Sequence, residues 1–150
     1  MQRIDITHDF RLPVSRVYAY LAEHEHLAPL FGATIRRVQD GATSRNGVGS
    51  VRALRVGPGP WFEETITEAV PDERIAYRIT KGSPLRDHQG VLSFTPLGEG
   101  CRLHYVIEFR SAVPGLAKVV QVGLTRNLKR GLRKRSEERR VGKECELKCR

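Results

Sequence analysis

The chain has 150 residues, 39% of them hydrophobic and 29% charged, with a net charge of +9. That length suits one domain with a core of its own, and the composition excludes wholesale disorder and fibrous architectures. No apolar stretch approaches the ~18 residues that span a bilayer, which excludes a transmembrane helix.

The charge is unevenly placed. Residues 1–125 carry 15 Lys/Arg against 13 Asp/Glu, whereas residues 126–150 carry 11 against 4. The basic end has no aromatic residue on which a base could stack, so nucleic acid is not the expected partner. The opening MQRIDITHDF alternates apolar and polar residues and lacks the apolar run of a secretion signal. With three cysteines, Cys101, Cys145 and Cys149, this reads as a cytoplasmic protein with free thiols. The Cys145/Cys149 pair offers two ligands, short of the four of a structural zinc, and no metal site or cofactor is expected.

Residues 3–10 put Ile4, Ile6, His8 and Phe10 on one face of a half-buried strand. Pro13 suits the first turn of a helix, and Val14, Val17, Tyr18 and Leu21 give it one apolar face. His24, His26, Leu27, Leu30 and Phe31 predict a second short helix, ended by Gly32. From Ala33 the period falls to two. Strands are expected over 33–39, 48–56, 61–70, 74–80, 87–96 and 101–111, joined by short turns rich in Gly, Pro and Asp. After Pro114-Gly115, an apolar stripe of Leu116, Val119, Val120, Leu124, Leu128 and Leu132 marks a long helix. The fold class is α+β in the order β-α-α-β6-α, a curved antiparallel sheet of about seven strands wrapped around the last helix. The domain is placed at 1–134. The remaining RSEERRVGKECELKCR breaks the stripe, and its SEERRVGKEC resembles translated vector or adapter sequence. Residues 135–150 thus read as a charged tail, either a frayed, solvated extension of the helix or a foreign or disordered stretch, and are assigned no function.

Several phrases carry a family resemblance: Pro13-Val14 before Val17-Tyr18-Ala19-Tyr20-Leu21, then Gly47-Val48-Gly49-Ser50-Val51-Arg52 and Phe62-Glu63-Glu64-Thr65-Ile66-Thr67-Glu68. Ala76-Tyr77-Arg78-Ile79, Asp87-His88-Gln89-Gly90, Leu92-Ser93-Phe94-Thr95-Pro96 and Gly100-Cys101-Arg102-Leu103 follow. Over residues 3 to about 134 the chain resembles the START-like (SRPBCC) superfamily of helix-grip proteins, and within it the polyketide cyclase/dehydrase branch. The resemblance implies an internal cavity between sheet and final helix. It does not imply one reaction, because the superfamily holds enzymes and lipid carriers alike.

Strand parity names the candidate lining. Leu103, Tyr105 and Ile107 share a face of the last strand, Leu92 and Phe94 set the face of the one before it, and His88 falls on that face too. Tyr77 lies inward on its strand, and Phe62 and Ile66 carry Glu64 inward with them, together with Glu68 and Val70. Arg52 and Leu54 complete the sheet side; Leu116, Val120 and Leu124 complete the helix side. A tight hairpin through 57–60 would set Leu54 opposite Glu64 and Arg52 opposite Ile66, leaving Arg52 and Glu64 diagonal neighbours within reach of an ion pair. An inward carboxylate needs such a partner.

Three functions fit. The first is a cavity that binds a small hydrophobic ligand of polyketide, lipid or isoprenoid type. The second is a cyclase or dehydratase in which His88, Glu64 and Tyr77 act as acid/base groups on a carbonyl. The third is a binding module whose basic helix meets an anionic membrane or nucleic acid. No nucleophile elbow, phosphate loop or metal triad competes with these.

Overall fold

The computed structural model describes residues 1–140. In chain order they form β1 (Gln2–Phe10), α1 (Val14–Ala22), a 3₁₀ turn (His24–Leu27), α2 (Ala28–Phe31) and β2 (Thr34–Gln39). β3 (Val51–Arg55), β4 (Phe62–Val70), β5 (Arg74–Lys81), β6 (Leu85–Leu97), β7 (Gly100–Ser111) and α3 (Leu116–Arg140) follow. This is the predicted helix-grip order.

All seven strands belong to one antiparallel sheet, ordered β1-β7-β6-β5-β4-β3-β2. From β2 onward each strand pairs with its successor, and from β3 on the connections are the short turns of antiparallel hairpins. β1 instead pairs with β7, and α1 and α2 carry the chain from that edge of the sheet to the other. The Pro13 carbonyl accepts from the Arg16 and Val17 amides in the first turn of α1. Gly32 ends α2 in the left-handed region, at φ 64°, where its lack of a Cβ removes the usual strain.

Two irregularities redirect the period-two pattern. In β4 the register slips between Ile66 and Glu68, so Ala69 turns to the core while Val70 becomes 37% exposed. Glu68 likewise faces solvent, in an ion pair with Arg74. Unbroken strand parity places Glu68 and Val70 inward; the bulge flips both. In β6 the slip falls between Arg86 and Gln89, with Asp87 at φ 51°, and it brings Leu85 and His88 onto the same wall although they are three residues apart.

The β3–β4 connection also differs from expectation. The Gly59 amide donates to the Val56 carbonyl, centring the turn on Gly57-Pro58 and not on Pro58–Pro60. Leu54 therefore faces Phe62, and Arg52 faces Glu64 directly. The strand itself begins at Val51; Val48, expected inside it, is half exposed in the preceding turn.

α3 packs on the sheet and on α2. Leu128 and Leu132 are fully buried, while Leu116, Val120 and Leu124 are only partly so. Around Leu128 and Leu132 the helix is thus seated, and its N-terminal part stands off the sheet. α3 runs to Arg140, past the boundary expected at 134; residues 141–150 of the charged tail lie outside the described residues. Among the described residues no helix is long and apolar enough to cross a membrane.

Candidate functional site

Under the raised half of α3 lies a cavity of about 480 Å³. Its wall holds Leu54, Phe62, Glu64, Tyr77, His88, Ile107, Leu116, Val120 and Leu124, all drawn from the sequence-derived set. Arg52, Ile66, Leu92, Phe94, Leu103 and Tyr105 from that set are buried but do not reach the wall. Strand parity points all of them at the concave face, yet α1 covers part of that face: the Tyr18 ring stands edge-on to Phe94, 5.2 Å between centroids. Those residues build the core that supports the cavity. Ile79 and Phe109, which strand parity also points inward, line it as well. So do Phe31, Leu85, Asn127 and the turns 59–60 and 82–84, which the sequence does not single out as lining. Asn127 carries no periodic signal and lies at the edge of the helix stripe.

One charged pair sits in this apolar setting. The Arg52 Nε donates to Glu64 Oε1 at 2.9 Å, and Nη2 lies 2.8 Å from the same oxygen. Arg52 is 2% exposed. Burial, the largest single influence, disfavours its charge, but Glu64 together with Tyr77 and Tyr105 outweighs that, and the guanidinium pKa is raised. The guanidinium also lies 4.7 Å from the Tyr77 ring centroid and 5.9 Å from that of Phe31, so aromatic faces replace part of its lost hydration.

Tyr77 is held from two sides. Its hydroxyl shares a hydrogen bond with the Tyr105 hydroxyl, deep in the core, and burial raises the pKa of both. Its ring lies flat on β6 at Gly90, where a Cβ would come within 2.2 Å of the ring carbon Cζ. Only glycine leaves that space. Tyr77 therefore offers the cavity its ring, while its hydroxyl points to Tyr105.

His88 is buried on the cavity wall, its ring centroid 5.5 Å from that of Tyr77. The Ile79 amide donates to its Nδ1 at 3.0 Å. An amide can only donate, so Nδ1 bears no proton and the neutral ring carries its hydrogen on Nε2. Burial, helped by the charges of Arg52 and Arg78 and opposed by Glu64, lowers the pKa and keeps the ring neutral. His88 is thus a fixed hydrogen-bond donor. Glu64, whose Oε1 is engaged by Arg52, supplies an acceptor on the same wall. Glu64, Tyr77 and His88 are brought together as the sequence suggested, but with a donor, an acceptor and an aromatic face as their offerings.

No group of three or more His, Cys, Asp or Glu that could hold a metal occurs among the described residues. His24 is fully buried and donates from Nε2 to Ser50 Oγ at 3.2 Å, the Ser50 hydroxyl itself donating to the Gly47 carbonyl at 2.7 Å. His26 stacks on Tyr20. These histidines organise the turn before α2 and the loop ahead of β3.

The family model described as polyketide cyclase / dehydrase and lipid transport matches residues 1–136. No curated protein sequence matches the chain. Among solved structures, the chain is similar to the Zhui aromatase/cyclase from a Streptomyces species, with a TM-score of 0.71 at 19% identity, covering 95% of this chain and 99% of that one. It is also similar to norcoclaurine synthase from Thalictrum flavum, at TM-score 0.66, 14% identity and coverage of 93% and 96%. A protein from Thermus thermophilus gives 0.67, 21%, and coverage of 92% and 99%. At such identities the structural likeness establishes the fold. Cavity, helix-grip architecture and the match over nearly the whole chain agree: the protein belongs to the polyketide cyclase / dehydrase and lipid transport family.

Proposed function

We propose that the cavity binds a small, largely apolar molecule, of polyketide, lipid or isoprenoid type, that carries a hydroxyl group. The observation that carries this reading is the wall itself: an apolar lining of about 480 Å³ in which His88 and Glu64 supply the charged and imidazole groups. A cavity of this size falls in the roughly 300–1,000 Å³ range of small-molecule sites. A hydroxyl both accepts, as from the His88 Nε2 hydrogen, and donates, as to the Glu64 carboxylate. Binding, more than base catalysis, suits the imidazole: Nδ1 could take a proton only by giving up the Ile79 amide. The family description, which joins cyclases with lipid transport, supports an apolar ligand without choosing its fate.

The test is titration of the chain with N-phenyl-1-naphthylamine, a neutral fluorophore that brightens in apolar surroundings. Saturable brightening at one site per chain is expected. Leu124→Trp, which fills the cavity from α3, weakens it at least about tenfold, the order of effect expected when an anchor-sized volume is lost. No brightening, or equal brightening in a folded Leu124→Trp, would overturn the proposal.

A further inference from the structure

We infer that the outer stripe of α3 docks on the surface of an anionic phospholipid bilayer and holds the cavity mouth against it. Val119, Val122, Arg126, Arg130 and Arg133 follow one another at helical i, i+3, i+7 spacing along the exposed side of the helix. From Val119 to Arg133 that stripe spans about 21 Å. Its first part is apolar: Val119 is 69% exposed and Val122 48%, and Val119 also lines the cavity, so it stands on the lip. Across the mouth, Val56 is exposed as well and lines the same cavity, in an uncharged turn running from 56 to 60. Together these exposed valines give the cavity an apolar lip, which fits the boundary between headgroups and acyl chains.

The second part of the stripe is cationic, and Lys129 flanks it. No acidic residue occurs between Glu108 and Glu137, so Arg126, Lys129 and Arg130 have no carboxylate within a helical turn on either side. An unopposed cationic row beside an apolar lip complements phosphate headgroups above acyl chains. Nucleic acid would be met by the cations alone, because the stripe carries no aromatic residue for stacking and would set bare valines against a polar surface.

The experiment is co-sedimentation of the full chain with phosphatidylcholine vesicles, with and without phosphatidylglycerol, at low and high salt. Binding to the phosphatidylglycerol vesicles at low salt is expected, falling steeply as salt rises. The triple variant Arg126→Gln/Lys129→Gln/Arg130→Gln is expected to bind about a hundredfold more weakly, and Val122→Ser about fivefold. Naphthylamine binding in solution should be unchanged in the triple variant, so failure of docking and failure of the cavity reading are told apart. Residues 135–150 are common to every variant. Sedimentation of the triple variant as well as the unaltered chain, or no loss with Val122→Ser, would overturn the inference. Tighter binding to duplex DNA than to the anionic vesicles would do so too.

Discussion

At the scale of single residues, the Arg52–Glu64 pair dominates the interior. Two opposite charges stand in register on neighbouring strands, 2% and 5% exposed, Glu64 on the wall of the apolar cavity and Arg52 behind it. Their mutual attraction offsets the desolvation of each, so the pair itself adds little net stability, but either partner alone would be a buried, uncompensated charge. Arg52→Met is therefore expected to cost about 3–5 kcal/mol. The double variant Arg52→Met/Glu64→Met should recover most of that loss. Urea denaturation of both single variants and the double closes this cycle; additive losses would mean that the two side chains do not act as a unit.

At the scale of elements, α3 carries two glycines in opposite settings. A Cβ on Gly123 would meet open space, whereas one on Gly131 would lie 2.6 Å from Leu30 Cδ2 and 3.1 Å from Leu30 Cα. Helix propensity favours alanine at both by up to about 1 kcal/mol. At Gly131 the overlap with α2 costs more, about 1–3 kcal/mol. Gly123→Ala should raise the thermal midpoint and Gly131→Ala lower it; midpoints moving in the same direction would show that α3 does not press on α2 as described.

The same elements explain what was legible beforehand. Element order followed from periodicity, since the sheet segments carry a period near two for most of their length and α3 carries that of a helix. Inward parity held for His88 because the β6 bulge lies on its N-terminal side, away from Gly90 and Leu92 that set the pattern. It failed for Glu68 and Val70 because the β4 bulge lies between them and Ile66. The direct facing of Arg52 and Glu64 depended on which glycine of Gly57-Pro58-Gly59-Pro60 closes the turn, a choice made by one backbone hydrogen bond. Strand parity marks a face, and six of the proposed lining residues lie on that face without reaching the cavity. How far a helix stands off a sheet depends on packing along its whole length, which no local pattern records.

At the scale of the whole molecule, buried histidines tie stability to pH. Burial first, then the charges of Arg52 and Arg37, lowers the His24 pKa to about 3, against 6.5 in an open chain. The unfolded chain therefore takes up a proton that the folded one refuses. His24 contributes its full stability above pH 6.5, and that contribution is lost as pH falls from there toward 3. His88 and His8, whose pKa values are also lowered by burial, act in the same direction. The urea midpoint should be level above that pH and decline below it. His24→Gln should flatten the decline by up to about 1.4 kcal/mol per pH unit, the value of one proton. An unchanged slope would mean that His24 is protonated in the folded chain.

The proposed selectivity of the cavity rests on His88 as donor and Glu64 as acceptor in a mostly apolar wall. The most direct test is displacement of bound N-phenyl-1-naphthylamine by 2-naphthol and by naphthalene, which differ by a single hydroxyl. With the His88 Nε2 hydrogen donating to that hydroxyl and Glu64 accepting from it, 2-naphthol should displace the probe about tenfold more tightly, the worth of one charge-assisted hydrogen bond. His88→Leu should abolish most of that preference. Equal or better displacement by naphthalene would contradict the account, leaving a cavity that measures apolar volume alone.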